Sequence, residues 1–194
     1  MKRQVRIPKS SNAEIFYSGE REVLVIDGLF SKALVNDTYA VLSKLQYGLK
    51  DSDSDEKSYS RHWIREINKD KVEDYEVLAT IAAVVKASYP KESFRLRRVH
   101  SNLHMYGDLQ FPHRDCPPRG GVTALYYANP QWNPDWMAET VFYAPNGEAR
   151  FMVAPKPGRL VIFDGRIVHR GGVPTRECFT PRISVAFKFI RCAG

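Results

Sequence analysis

The stretch Arg182-Ile183-Ser184-Val185-Ala186-Phe187-Lys188-Phe189 alternates without a break, and this alternation constrains the chain more than any other feature. In an extended strand successive side chains point to opposite faces. Ile183, Val185, Phe187 and Phe189 therefore share one face, suited to an apolar core. Arg182 and Ser184 share the other, which we assign to an interior. A guanidinium in such a place is costly without a partner. No acidic residue is fixed nearby by the sequence, so either folding supplies a carboxylate or a ligand does.

Similar strands recur upstream. From Phe94 the hydrophobic period changes from 3.6 to 2. Up to Tyr106, the odd positions Val99, Leu103 and Met105 are apolar, and the even positions His100, Asn102, His104 and Tyr106 carry polar groups. The even face either presents hydrogen-bonding groups to an interior or lies in water; the pattern fits both. Val122 to Ala128 reads as a strand, Thr140 to Ala144 and Ala149 to Val153 flank the hairpin signal Asn146-Gly147, and Arg159 to Asp164 reads as a short buried strand.

The N-terminal half reads differently. Residues 1–20 form a polar arm, and Val23 to Ile26 a short strand stopped by Asp27-Gly28. Ser31 caps a helix from Lys32 to about Leu49, with Leu34, Val35, Tyr39, Leu42 and Leu45 as its apolar stripe. Asp51 to Ser60 is a charged run without periodicity, a solvated loop or a flap over a site. A second helix spans Val72 to Ser88 and stops before Pro90. Two helices followed by many short strands predict a mainly β fold with N-terminal helices. The expected form is a double-stranded β-helix, or jelly roll, with the helices packed on its major sheet. Residues 1–194 then make one domain, with 1–93 as helical support and possible flap and 94–190 as the jelly-roll core.

The net charge of +7 favours an anionic ligand, although a soluble surface with a positive excess gives the same sum. Cys116, Cys178 and Cys192 form neither a disulfide framework nor a metal knuckle, which fits a cytoplasmic protein. The longest apolar run, Val77 to Val85, is about half of a membrane span, and no signal peptide or nucleic-acid module is recognised. Oligomeric state is not legible.

The chemistry-bearing candidates are His113-x-Asp115 and His169, 54 residues further on, followed 13 residues later by Arg182. In an extended segment His113 and Asp115 share a face. Two imidazoles and a carboxylate on one face of an octahedron leave three positions open, as in non-haem iron oxygenases. The bare H-x-D pair is weak, since about 0.3 such pairs arise by chance in a chain with 5 His and 11 Asp. Turn histidines bonded to backbone would give the same pattern.

The segment from Asn102 to Phe189 resembles the 2-oxoglutarate- and Fe(II)-dependent dioxygenases of the prolyl 4-hydroxylase type. The resemblance rests on His113-x-Asp115, Leu125-Tyr126-Tyr127-Ala128-Asn129, Glu139-Thr140-Val141-Phe142, Pro157-Gly158-Arg159-Leu160-Val161-Ile162-Phe163, His169-Arg170-Gly171-Gly172-Val173-Pro174 and Arg182-Ile183-Ser184. It implies that His113, Asp115 and His169 ligate Fe(II), and that Arg182 pairs with the distal carboxylate of 2-oxoglutarate, with Ser184 beside it. It further implies that the Tyr127 hydroxyl donates to that carboxylate and that Asn102 and His104 contact the cosubstrate. The activity implied is hydroxylation of an unactivated C–H with O2, releasing succinate and CO2, with ascorbate as an in vitro reductant. Two departures stand out: Met137-Ala138 where many relatives have Gly-Gly, and a longer loop from Thr175 to Pro181.

For the substrate, a small anionic molecule such as an amino acid or natural-product intermediate is expected, drawn by Arg114, Arg119, Arg166 and Arg170 beside the metal-bearing segments. Arg114 and Arg166 are candidate rim contacts. Trp132 and Trp136 are loop anchors first and substrate platforms second. The alternatives are a peptidyl hydroxylase and a non-catalytic, cupin-like metal-binding module; the carboxylate clamp at Arg182, Ser184 and Tyr127 speaks against the latter.

Overall fold

A computed structural model describes residues 11–52, 60–116 and 120–192. Its frame is an eight-stranded sheet built of β1 (Asn12–Ser18), β2 (Arg21–Asp27), β3 (Gly48–Ser52), β4 (Arg61–Ile67), β5 (Phe94–His104), β6 (Gly121–Tyr127), β9 (Leu160–Asp164) and β11 (Arg182–Arg191). Their spatial order is β1-β2-β9-β6-β11-β5-β4-β3, and every pairing is antiparallel. A smaller sheet, β10-β7-β8, is formed by β7 (Thr140–Tyr143), β8 (Ala149–Val153) and β10 (His169–Arg170). The mainly β, jelly-roll expectation is thus met.

The period-2 pattern sorts two cores onto the two faces of the large sheet. One unites Ile26, Ala124, Tyr126, Leu160, Ile162, Ile183, Val185 and Phe187 with Leu42, Val77, Leu78, Ile81 and Val85 from the helical segments. The other joins Val23, Val25, Leu125, Tyr127, Val161 and Phe163 to Phe142 and Val153 of the small sheet. Burying each large aliphatic side chain contributes about 1.5–3 kcal/mol, so these layers carry most of the folding free energy.

The helices differ from the sequence reading at their ends. Helix α1 spans Lys32–Leu42, with the Ser31 hydroxyl accepting from the Leu34 amide at 3.2 Å. It stops well before Leu49 because the chain is needed in β3. The Tyr47 hydroxyl donates to the carbonyl of Leu42 at 3.1 Å, satisfying one of the acceptors a helix end leaves open. Helix α2 spans Glu76–Ser88, preceded by a 3-10 turn at Lys69–Asp74 that the Asn68 side chain caps. Tyr75, in extended conformation, separates the two, so the helix begins after Val72 and not at it.

Two further readings are corrected and one falls largely outside the described residues. The polar arm contains β1, an edge strand that pairs with β2 along its whole length, from Asn12 opposite Asp27 to Ser18 opposite Arg21. The charged run is framed by β3 and β4, and residues 53–59 of it lie outside the described residues. Tyr106 and Met105 lie beyond the end of β5 and are exposed. No helix is long and apolar enough to cross a membrane among the described residues.

The departure Met137-Ala138 carries strain. Both residues have positive φ, 53° and 70°, a region in which side chains crowd the backbone. The kink leads through Glu139 into β7 at Thr140, and Gly172 packs so close that a Cβ there would sit 2.6 Å from the Ala138 carbonyl carbon. Met137 is 57% exposed, so its side chain contributes little packing to offset this strain. Replacing it with glycine removes the strain at modest entropic cost. Met137→Gly is expected to raise unfolding stability by about 1 kcal/mol in urea titration; an unchanged or lower midpoint would show that the turn is relaxed with a side chain.

Candidate active site

The register of three central strands lays out a polar row between the sheets. On β11, Arg182 stands opposite His104 of β5, and Ser184 opposite Asn102 and, on the other side, Tyr127 of β6. Ala186 faces His100 and Leu125, and Lys188 faces Arg98 and Thr123. His100, His104, Arg182 and Ser184 are all buried, so this face of β5 is turned into the protein and not into water. Together with the triad they line a cavity of about 230 Å³.

At its centre His113, Asp115 and His169 bring one ligand atom each to within 4.8 Å of one another. Their placement comes from backbone pairing. The amide of His113 donates to the carbonyl of His169 at 2.9 Å, and the amide of His169 returns a bond of 3.0 Å to His113. The Asp115 amide donates to Gly165 at 2.8 Å, extending the ladder. His169 also belongs to β10, opposite Phe142 of β7, which anchors the pair to the small sheet.

The ring nitrogens are then sorted by local bonds. His113 Nδ1 lies 2.8 Å from the carbonyl of Phe111, and His169 Nδ1 lies 2.9 Å from that of Ile167. A carbonyl can only accept, so each Nδ1 carries the proton and each Nε2 presents a lone pair. The Nε2 atoms lie 3.5 and 3.4 Å from the two Asp115 oxygens. Such donor sets, with the second ring nitrogen oriented by a backbone carbonyl, fit a first-row divalent metal.

Asp115 is the electrostatic focus. Burial pushes its carboxyl pKa up, but Lys188, His169 and His113 outweigh burial and hold it well below the usual carboxylate range. Thr123 donates to Oδ2 at 2.6 Å and the Lys188 ammonium bonds to Oδ1. Burial lowers the pKa of His169 despite the pull of Asp115, which favours the neutral imidazole. Phe163, edge-on at 4.6 Å, flanks that ring.

At the other end Arg182 is 1% exposed. Its guanidinium donates to Thr140 Oγ1 at 3.1 Å and Ser184 Oγ at 3.3 Å, and lies 3.5 Å from His104 Nδ1. Among the described residues no carboxylate meets it, and its Nε has no hydrogen-bond partner. Burial lowers the pKa of this guanidinium, which stays protonated all the same.

The structure thus brings His113, Asp115, His169, Arg182, Ser184, Asn102 and His104 onto one cavity. Of the others, only Arg114 joins them there. The Tyr127 hydroxyl points at Thr140 Oγ1, 2.7 Å, and the Val153 carbonyl, 3.3 Å, while its ring lies under the Arg182 guanidinium. It therefore supports Thr140 and Arg182 instead of lining the cavity. Arg114 reaches the rim, but Arg166 is bound twice over by Asp164 and does not line the cavity. Arg170 donates to Tyr143, Trp136 stacks edge-on against Trp132, and Arg119 lies outside the described residues. Sequence reasoning passed over Thr140, Thr123 and Lys188. For Lys188 a signal existed, since the same alternation that turns Arg182 inward turns Lys188 inward too.

Removing a hydrogen bond to a ligating carboxylate typically lowers metal affinity by about ten- to a hundredfold. Thr123→Val should do so for Mn(II), read by electron paramagnetic resonance titration, whereas Asp115→Ala and His169→Ala should abolish tight binding. Wild-type Mn(II) affinity in Asp115→Ala would remove that residue from the metal site.

No family model and no curated protein matches this chain by sequence. Solved structures do match by shape. A prolyl-4-hydroxylase from Pseudomonas putida is 20% identical, with a TM-score of 0.64 over 88% of this chain and 93% of that one. A prolyl hydroxylase from Trichoplax adhaerens, in complex with a hypoxia-inducible-factor peptide fragment, is 19% identical, with a TM-score of 0.66 over 87% and 83%. The non-heme alpha-ketoglutarate-dependent epimerase SnoN from nogalamycin biosynthesis is 16% identical, with a TM-score of 0.62 over 87% and 77%. At these identities the likeness is one of architecture: this chain has the fold of the prolyl-4-hydroxylase-type 2-oxoglutarate/Fe(II) oxygenases.

Proposed function

We propose that this protein is a 2-oxoglutarate- and Fe(II)-dependent dioxygenase that hydroxylates an unactivated C–H of a small, anionic molecule. The observation that carries the reading is the pairing, in one cavity, of the His-Asp-His cluster with a fully buried arginine that meets no carboxylate among the described residues. A metal site alone has no need of such an arginine, which sets aside a non-catalytic, cupin-like module.

His113 Nε2, His169 Nε2 and an oxygen of Asp115 would hold the iron, leaving a net charge of +1 to receive a dianionic chelator. Arg182, Thr140 and Ser184 would hold the remote carboxylate of 2-oxoglutarate through charge-assisted bonds. Bound together, these groups supply oxidative decarboxylation to succinate and CO2, with insertion of one oxygen of O2 into a C–H bond. The chain's own work is positioning and exclusion of water. The two Nδ1–carbonyl bonds keep the imidazoles neutral and aimed, Thr123 fixes the rotamer of Asp115, and Phe163 and Leu125 give the centre apolar walls.

A second reading, hydroxylation of a peptide, draws on the Trichoplax relative, which is bound to a peptide fragment. The polar lining of the cavity, with Lys188, Arg97 and Asn102 among its residues, favours a compact charged substrate instead. SnoN, named as an epimerase, indicates that this fold serves outcomes other than hydroxylation.

The first test is succinate formation from 2-oxoglutarate with Fe(II), ascorbate and a metabolite library. Absence of any 2-oxoglutarate turnover or binding would overturn the reading. In the same assay Arg182→Ala should raise the 2-oxoglutarate concentration for half-saturation about ten- to a hundredfold, with iron affinity little changed. Thr140→Val should act in the same direction and more strongly than Tyr127→Phe, because the tyrosine reaches the carboxylate only through Thr140. A larger effect from Tyr127→Phe would put its hydroxyl on the cosubstrate directly.

A further inference from the structure

The cavity has a second cationic end that binding of 2-oxoglutarate at Arg182 does not use. Lys188 lies six residues along β11 from Arg182 on the same face, about 20 Å away at the strand rise. Its side chain is only 17% exposed and its ammonium is bonded to Asp115. Opposite it, the pairing of β11 with β5 slips between Lys188 and Phe189, so that Lys188 faces Arg98 while Phe189 faces Leu96. Arg97 is the extra residue of this bulge, and both Arg97 and Arg98 line the cavity. Arg98 is held by Glu66 and Asp51, each at 2.9 Å. Arg97 is exposed, and its side chain makes no hydrogen bond or ion pair among the described residues. His100, 3% exposed on the same wall, has an Nδ1 with no hydrogen-bond partner among them.

We infer that this end is the subsite that anchors the substrate by an oxyanion group, with Lys188 as the specificity-determining residue and Arg97 as its second contact. The inference rests on the proposed function, since it takes the triad to hold a divalent cation. The rest of the inward face of β11 between the two ends is small, Ser184 and Ala186, and a lysine among them needs a counter-charge. Asp115 gives it one. Both oxygens of Asp115 are engaged, by Thr123 and by Lys188. A divalent cation held by that carboxylate would compete for the same oxygens and repel the ammonium at short range. The four-carbon stem of lysine allows the ammonium to swing toward Arg97, where a carboxylate, sulfonate or phosphate supplies the charge it needs. A substrate held there by its anionic group places its carbon chain over the metal centre. The cosubstrate would be held from the opposite end by Arg182. The arginines adjacent in sequence to the metal motifs do not build this subsite, because Arg166 and Arg170 are engaged by Asp164 and Tyr143.

The test is a binding experiment, independent of turnover. Full-length protein is loaded with Mn(II) and the unreactive analogue N-oxalylglycine. It is then titrated calorimetrically at fixed ionic strength with benzenesulfonate, an anion that ligates metals poorly, and with the neutral methyl phenyl sulfone. Wild type should bind the sulfonate and not the sulfone. Lys188→Met should weaken sulfonate binding about tenfold or more and Arg97→Ala about threefold or more, while Lys188→Arg retains most of it. Mn(II) resonance of the same samples reports the metal site separately. Loss of Mn(II) or N-oxalylglycine binding in wild type would count against the proposed function. With both intact, a wild type that binds sulfonate and sulfone alike, or binds neither, overturns the subsite. So does sulfonate affinity unchanged in Lys188→Met; should that variant not fold, unchanged affinity in Arg97→Ala overturns it equally.

Discussion

Two backbone hydrogen bonds, exchanged between His113 and His169, hold the chemistry of this structure in place. Residues that exchange both bonds in an antiparallel pair have their Cα atoms about 5.5 Å apart. Both imidazoles therefore rise from neighbouring points, and their ring centroids lie 4.6 Å apart. The bond from Asp115 to Gly165 continues the ladder and brings the carboxylate to the same side two residues on. Each histidine then turns its Nδ1 to the carbonyl two residues before it, a motif repeated in both segments. Three side chains from two distant stretches are thus ordered by the fold itself, and the entropy of ordering them is met by folding.

The rest of the fold makes that arrangement possible by separating what is apolar from what is polar. The outward face of β11 buries Ile183, Val185, Phe187 and Phe189 against the layer that holds α2 residues. Its inward face carries Arg182, Ser184 and Lys188. Strands β2, β6 and β9 instead place apolar residues on both faces, and these join the small sheet through Phe142 and Val153. The polar row is therefore only one strip, bounded by β5 and β6, within an otherwise dry sandwich. Confining it in this way limits the desolvation cost to groups that have a use. Tyr127 shows the boundary well: its ring is core, and its hydroxyl reaches Thr140 at the edge of the strip.

Much of this was legible in the sequence. Period-2 alternation located β5 and β11, the short run Val122 to Ala128 was read as a strand and is β6, Asn146-Gly147 located the β7–β8 hairpin, and Ser31 and Pro90 marked a helix start and stop. The candidate ligands fall together because His113 and Asp115 share a face at extended spacing and an antiparallel bridge sets His169 opposite His113. What stayed hidden depends on partners far away in the chain. β1 is an edge strand whose identity comes from pairing with β2, and β4 lacks a clean alternation because it packs between β3 and β5 near the sheet edge. The early end of α1 is set by Tyr47, which bonds both Leu42 and Ser101 of β5. Tyr127 points as its alternation demands, yet which acceptor its hydroxyl meets is decided by Thr140 in another sheet.

Charge was the hardest property to read, for a definite physical reason. Nearness in sequence to a metal motif does not make a cation available. Arg166 is neutralised by Asp164, two residues away, and Arg159 by a bidentate pair with Asp27 at 2.7 Å, across 132 residues. Availability is what remains after such pairing, and here it lies at Arg182, with its bare Nε, and at Arg97, which a one-residue bulge turns toward the cavity. Lys188 stands between these cases, since its partner Asp115 is itself a candidate ligand. The inward face of β11 is therefore a slot with a cation at each end and small side chains between. Under the proposed function, the cosubstrate and an anionic substrate entering this slot would be kept apart by mutual repulsion and by the spacing of Arg182 and Lys188 along the strand. That spacing, fixed by backbone geometry, would bound the combined length of the two anions.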